Sequence, residues 1–210
     1  MNRRYISDPL SVIYLPDDSH NQLVDSINSS EDLLVKWYDK GATKKRLRKL
    51  SPAMMDDDGK YTVDFNGKTG LELGFGVGES CYCLSLAFPT MVLDGVDFNP
   101  MNEKLIPFFH DLFGGIMGDF WIGNTCSIPK PDVSYDFINS SSFFEHLTEG
   151  DYWPTIRECH RVLKPGGQMF VFVDQQPDEE QHIRVISPED TRKELVSVGF
   201  TSINPYRYEK

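Results

Sequence analysis

The segment Glu72-Leu73-Gly74-Phe75-Gly76-Val77-Gly78 carries the strongest chemical signal in the chain. It follows a short apolar stretch, Thr69–Leu73, and precedes a helical pattern that Pro89 stops near Phe88. Glycines at these positions let the backbone bend tightly and let a ligand approach where a β-carbon would stand. The helix that follows offers unpaired N–H groups and a partial positive charge, which suit a carboxylate or a phosphate. A dinucleotide fingerprint would require a third glycine at position 79, but the residue there is Glu79, a poor neighbour for a pyrophosphate. A nicotinamide-dependent reductase is therefore disfavoured. A second candidate is Asp97 in Val96-Asp97-Phe98, 21 residues after Gly76. A carboxylate at the end of a strand can accept hydrogen bonds from both hydroxyls of a ribose, each worth about 1.5–3 kcal/mol. A third is Glu145-His146, in the run Ser140 to Leu147. An imidazole that titrates near ~6.5 can accept a proton at neutral pH. The competing role for the pair is to tie its loop to its neighbours. His110 and His160 are weaker candidates, and His160 reads as structural.

Elements that could position these residues alternate along the chain. Thr69–Leu73 reads as a strand, Met91–Val96 as a buried strand, and 101–113 as a helix. Gly115–Met117 reads as a weak third strand and Tyr135–Asn139 as a fourth. Thr148 and Asp151 have capping-box spacing and open a helix bearing Trp153, Ile156, Cys159 and Leu163. Pro165-Gly166-Gly167 breaks that helix before a fifth strand, Met169–Val173. Ser187-Pro188 starts a last helix that Gly199 ends, and one strand-like stretch, Thr201–Tyr208, follows. This alternation predicts an α/β fold with a doubly wound, mostly parallel sheet. Active sites in such sheets lie beyond the carboxyl ends of the strands, where the glycine loop, Asp97 and His146 all fall.

The ordered set of motifs resembles the class I, Rossmann-like S-adenosylmethionine-dependent methyltransferases. The resemblance rests on Glu72 to Gly78, Val96-Asp97-Phe98, Gly118-Asp119-Phe120 and Tyr135-Asp136-Phe137-Ile138-Asn139-Ser140. It continues through Glu158, Arg161, Val162-Leu163-Lys164-Pro165-Gly166-Gly167 and Gly199-Phe200. It implies S-adenosyl-L-methionine as cofactor and a definite set of roles. Glu72 would hold the methionine ammonium, Gly74, Phe75, Gly76 and Gly78 would line the methionine end, and Asp97 would bind the ribose. Phe98 would lie against the adenine, Asp119 would accept from its amino group, and Phe120 would flank the ring. Ser140 lies where a backbone carbonyl commonly meets the ammonium. For Phe98 and Phe120 the competing role is core packing. The family has two strands after the last helix, whereas the single stretch at 201–208 leaves the seventh strand in question.

Residues 1–65 have a different texture, polar and interrupted, and are expected to form an N-terminal helical cap on a methyltransferase domain at 66–210. Ser30 caps a helix there whose face carries Trp37 and Tyr38, possible pocket aromatics. The segment Trp121–Val133 and the acidic loop Asp174–Gln181 are further pocket walls. A formal net charge of -11 repels phosphate backbones and argues against general nucleic-acid binding, although Lys44, Lys45, Arg46, Arg48 and Lys49 form a local basic run. The four cysteines, Cys81, Cys83, Cys126 and Cys159, match no zinc spacing, so no metal is expected. No apolar run suits a secretory leader or a membrane span, and a cytoplasmic protein with reduced thiols is expected. The expected activity is in-line methyl transfer to a small-molecule acceptor. The alternatives are methylation of protein or RNA, and a non-catalytic S-adenosylmethionine-binding partner protein.

Overall fold

The computed structural model describes residues 60–173, 187–204 and 207–210, with Met54 and the backbone of two short strands. Those strands, β1 (Ile6–Asp8) and β2 (Ser11–Ile13), pair antiparallel. The expected cap helix from Ser30 with Trp37 and Tyr38, the basic run at 44–49 and the loop 174–181 lie outside the described residues.

Seven strands form one sheet: β3 (Thr69–Leu73), β4 (Val92–Asp97), β5 (Met117–Ile122), β6 (Tyr135–Ser141), β7 (Leu163–Phe172), β8 (Thr201–Asn204) and β9 (Arg207–Glu209). Their order across the sheet is β5-β4-β3-β6-β7-β9-β8. The first five are parallel, and β9 enters antiparallel between β7 and β8. The chain runs outward from β3 through β4 to β5, then returns to the other side of β3 as β6. That reversal puts the topological switch point between β3 and β6, where doubly wound sheets open a crevice for ligands.

Alternating side chains feed two cores, as expected of a sheet covered on both faces. On one face, Leu93, Phe137 and Phe170 pack with Cys81 and Leu84 of helix α1 (Glu79–Ala87) and with Phe109 and Phe113 of α2 (Ile106–Phe113). On the other, Leu71, Leu73, Ile138, Met169 and Val171 pack with Tyr152, Ile156 and Cys159 of α3 (Glu149–Val162) and Leu195 of α4 (Pro188–Val198). Phe65 joins the first core, its ring stacked on Phe137 with centroids 3.9 Å apart.

Several elements differ from the sequence-based expectation. The third strand starts at Met117, because Gly114–Ile116 forms a 3-10 turn. The stretch 201–208 supplies two strands, so the seventh strand is present. The Pro165-Gly166-Gly167 break falls within β7, and Gly166 N donates to Lys210 O (3.1 Å), tying the break to the chain's last described residue. Thr148 does not cap α3 by the expected bond to an amide; its hydroxyl donates to the Asp151 carboxylate at 2.6 Å. The segment around Tyr61–Phe65 makes only an isolated bridge, and it packs through Tyr61 and Phe65 against Phe88.

Arg161, at the end of α3, holds the long connection between β5 and β6. Its guanidinium donates to the carbonyls of Ile128 (2.9 Å) and Lys130 (2.9 Å) and pairs with Asp132 and Glu158. Glu158 in turn accepts from Ile128 N at 2.9 Å. Bonds from a charged donor to fixed carbonyls are worth more than neutral ones, although partial exposure screens the ion pairs. Arg161→Ala is expected to lower unfolding free energy by about 1–3 kcal/mol. It should also speed amide hydrogen exchange across 124–134, and unchanged exchange there would contradict the anchoring role.

Candidate functional site

The site is built where the loops after β3, β4, β5 and β6 meet. Asp97, the last residue of β4, is its mechanical centre. One carboxylate oxygen accepts from Gly76 N (2.7 Å) and the other from Asn99 N (2.8 Å). The carboxylate is buried at the carboxyl end of β4, beside the glycine loop. Gly74 N donates to Val96 O at 2.8 Å, so the glycine loop is laced to β4 along its length.

The glycines serve different ends. Gly76 has φ +51, and an added Cβ would meet nothing within 4 Å. Its positive φ and open flank leave the backbone reachable by a ligand. Gly78, with φ +80, is different, because a Cβ there would come within 2.7 Å of the rings of Phe109 and Phe113. Its smallness seats the start of α1 against α2. At Gly74 a Cβ would strike Phe143 at 2.5 Å, so the loop after β6 interlocks with the glycine loop.

Glu72 is buried on β3 directly opposite Asn139 of β6. Asn139 Nδ2 donates to Glu72 Oε2 (2.7 Å), and Ser80 Oγ donates to Glu72 Oε1 (2.5 Å). Burial pushes the nearby Cys81 thiol well above its usual value, and the charge of Glu72 adds to the shift. Ser140, at the end of β6 beside Leu73, is fully buried. Among the described residues its hydroxyl finds no hydrogen-bond partner. A buried hydroxyl left unsatisfied is costly and is consistent with a bound polar group.

After β6 the chain turns sharply. Ser142 adopts φ 52, and its N–H donates to Phe172 O at 2.8 Å. A left-handed serine is a locally strained residue of the kind that gathers at functional sites. The strained turn delivers the 3-10 segment Phe144–His146, with His146 N bonded to Phe143 O at 3.0 Å. Glu145 is fully buried and His146 half-buried.

The structure does not bring Asp119 to this cluster. Strand β5 ends at Ile122, opposite Asp97, which leaves Asp119 three residues or about 10 Å short of the sheet's carboxyl edge. Asp119 is exposed and bonded to Lys130 Nζ (2.6 Å), which holds its carboxyl below the usual range, while its N–H donates to Asp94 (2.8 Å). Tyr135 donates to the same Asp94 at 2.7 Å; burial raises its phenol well above the usual value, and this bond adds to the shift. Phe120 packs against Phe75 (5.3 Å) and Phe109 (5.7 Å) over Gly95, as part of the α1–α2 core. Phe98 is half-buried against the opposite core.

Gly123 and Asn124 stand at the edge instead. Gly123 N donates to Asp97 O (2.8 Å), and Asn124 Oδ1 accepts from Cys126 N (2.7 Å). The sequence reading missed Asn124, Ser80 and Asn139. Asn139 is a polar residue inside an apolar strand, a signal that only the strand register connects to Glu72. Among the described residues, no cluster of three potential ligands for a metal ion occurs.

The geometry has a counterpart in known proteins. Residues 71–171 match the family described as Methyltransferase domain, a span from β3 through nearly all of β7. Over these residues the chain is similar to that methyltransferase family, and its sheet has the doubly wound order described above. Relatives of the chain include the ubiquinone biosynthesis O-methyltransferases of Citrobacter koseri, 26% identical over 74% of this chain, and Marinobacter nauticus, 28% identical over 72% of it. This chain spans 62% and 63% of those two proteins' own lengths. Among solved structures, the cyclase SpnF superposes with TM-score 0.58 at 21% identity, covering 68% of this chain and 53% of SpnF. That likeness speaks for the fold alone, since one fold hosts several chemistries.

The site fits the cofactor implied by the resemblance on two structural grounds. The glycine loop is open at Gly76, and among the described residues the buried Ser140 hydroxyl has no hydrogen-bond partner. Gly78→Ala should destabilise the ligand-free protein by about 2–4 kcal/mol through strain and overpacking, and Gly76→Ala by about 1 kcal/mol. Equal losses in thermal unfolding would contradict the division of labour. Asp97→Ala should cost the ligand-free protein about 1–3 kcal/mol by releasing the Gly76 and Asn99 amides. A variant as stable as the parent would refute that anchoring.

Proposed function

We propose that this domain binds S-adenosyl-L-methionine and moves its methyl group to a hydroxyl of a small-molecule acceptor. The observation that carries the reading is the Asp97-pinned glycine loop, open at Gly76, at the switch point of a class I methyltransferase sheet. The cofactor supplies a methyl group on a sulfonium whose leaving group is a neutral thioether. The protein's work is therefore alignment and exclusion of water more than covalent chemistry. Asp97 accepts from the ribose hydroxyls, the Gly74–Gly76 backbone lines the methionine end, and Glu72 faces its ammonium. Phe98 and the Gly123–Asn124 turn flank the adenine.

The small-molecule acceptor is supported by relatives whose names place them in ubiquinone biosynthesis and whose similarity extends over roughly three-quarters of this chain. A hydroxyl must lose its proton as the methyl arrives. Of the Glu145-His146 pair, only His146 has surface exposed to take that proton, while Glu145 is fully buried. On this reading the protein works in the cytoplasm with its cysteines as thiols.

Incubation with cofactor labelled in the methyl group and a metabolite extract should give a labelled small molecule, identifiable by mass spectrometry. Label appearing only in macromolecules would overturn the small-molecule reading. With the acceptor in hand, His146→Ala should lower kcat about 10²–10⁴-fold and remove the acid limb of the pH–rate profile. An unaltered pH profile would exclude His146 as the base.

A further inference from the structure

We propose that Ser80 and Asn139 are positioning residues that aim the Glu72 carboxylate at the cationic end of the cofactor. This inference rests on the cofactor reading above. The three side chains close a ring: Asn139 Nδ2 donates to Glu72 Oε2 (2.7 Å) and to Ser80 Oγ (3.1 Å), and Ser80 Oγ donates to Glu72 Oε1 (2.5 Å). An ionised carboxylate only accepts, so the amide must present its nitrogen, and the serine proton is committed to Glu72. Both carboxylate oxygens are thereby fixed in direction.

Three separate elements supply the ring. Glu72 lies on β3, Asn139 is its register partner on β6, and Ser80 is in the first turn of α1. Glu72 and Asn139 are each 1% exposed and Ser80 8%. The surrounding layer is apolar, with Leu84, Phe137 and Phe170. Packing alone would be served at least as well by three apolar side chains there, since a buried carboxylate is expensive to desolvate. Ser80 and Asn139 bring hydrogen bonds without bringing charge, so they favour the ionised form of Glu72 and leave its negative charge in place. That charge sits beside the open glycine loop, where an ammonium would be attracted and a neutral group would not.

The test uses two ligands in calorimetry on the full chain. S-adenosylhomocysteine carries the ammonium, and 5′-methylthioadenosine shares the nucleoside but lacks the amino-acid end. Asn139→Leu and Ser80→Ala should each weaken S-adenosylhomocysteine about 10-fold, the scale of one charge-assisted hydrogen bond. Methylthioadenosine should change less than about 2-fold, and Ser80→Thr, which keeps the hydroxyl, should restore affinity. Equal weakening of both ligands in folded variants, or no weakening of either, would overturn the positioning role while leaving the cofactor reading standing. If the parent protein bound neither ligand, the cofactor reading would fall and this proposal with it.

Discussion

A single carboxylate governs the geometry of the site. Asp97 ends β4 and accepts one backbone amide from the glycine loop and one from the turn that follows it. Without those bonds, two loops at a sheet edge would have no reason to adopt one arrangement. With them, the Gly74–Gly76 backbone, with its positive φ angles, faces the crevice beside β6, and the strand beneath supplies Val96 O as a further anchor. The interlock of Phe143 with Gly74 fixes the opposite wall by close packing, not polarity.

A division of labour follows between the two faces of the sheet. The α1–α2 face is rich in aromatic rings, from Phe65 and Phe137 to the Phe75, Phe109, Phe113 and Phe120 group, and it braces the start of α1 through Gly78. On the α3–α4 side, Arg161 and Glu158 grip the connection that begins at Gly123 and Asn124. Close packing thus seats the start of α1, and hydrogen bonds from α3 hold the loop after β5.

Much of this was legible in the residues themselves. The glycine spacing, Asp97 and the strand–helix alternation report local backbone requirements, and these survive in the structure. Where the reading failed, the missing information was register. Gly115–Met117 looked strand-like, so Gly118-Asp119 seemed to follow a strand end. The 3-10 turn at Gly114–Ile116 shifts the strand and moves that end to Gly123-Asn124. Asn139 and Ser80 were invisible for the same reason, since a sequence does not tell which residue of β6 lies across from Glu72. The stretch after Gly199 hid two short strands because neither is long enough to show a period.

The central claim is that a nucleoside binds across the carboxyl ends of β3, β4 and β5. Amide hydrogen exchange with and without saturating S-adenosylhomocysteine tests it most directly. Slowed exchange is expected at 74–79, 97–99 and 123–126, with no change at 117–119. Exchange unaltered at the glycine loop, or protection centred on Asp119, would contradict it.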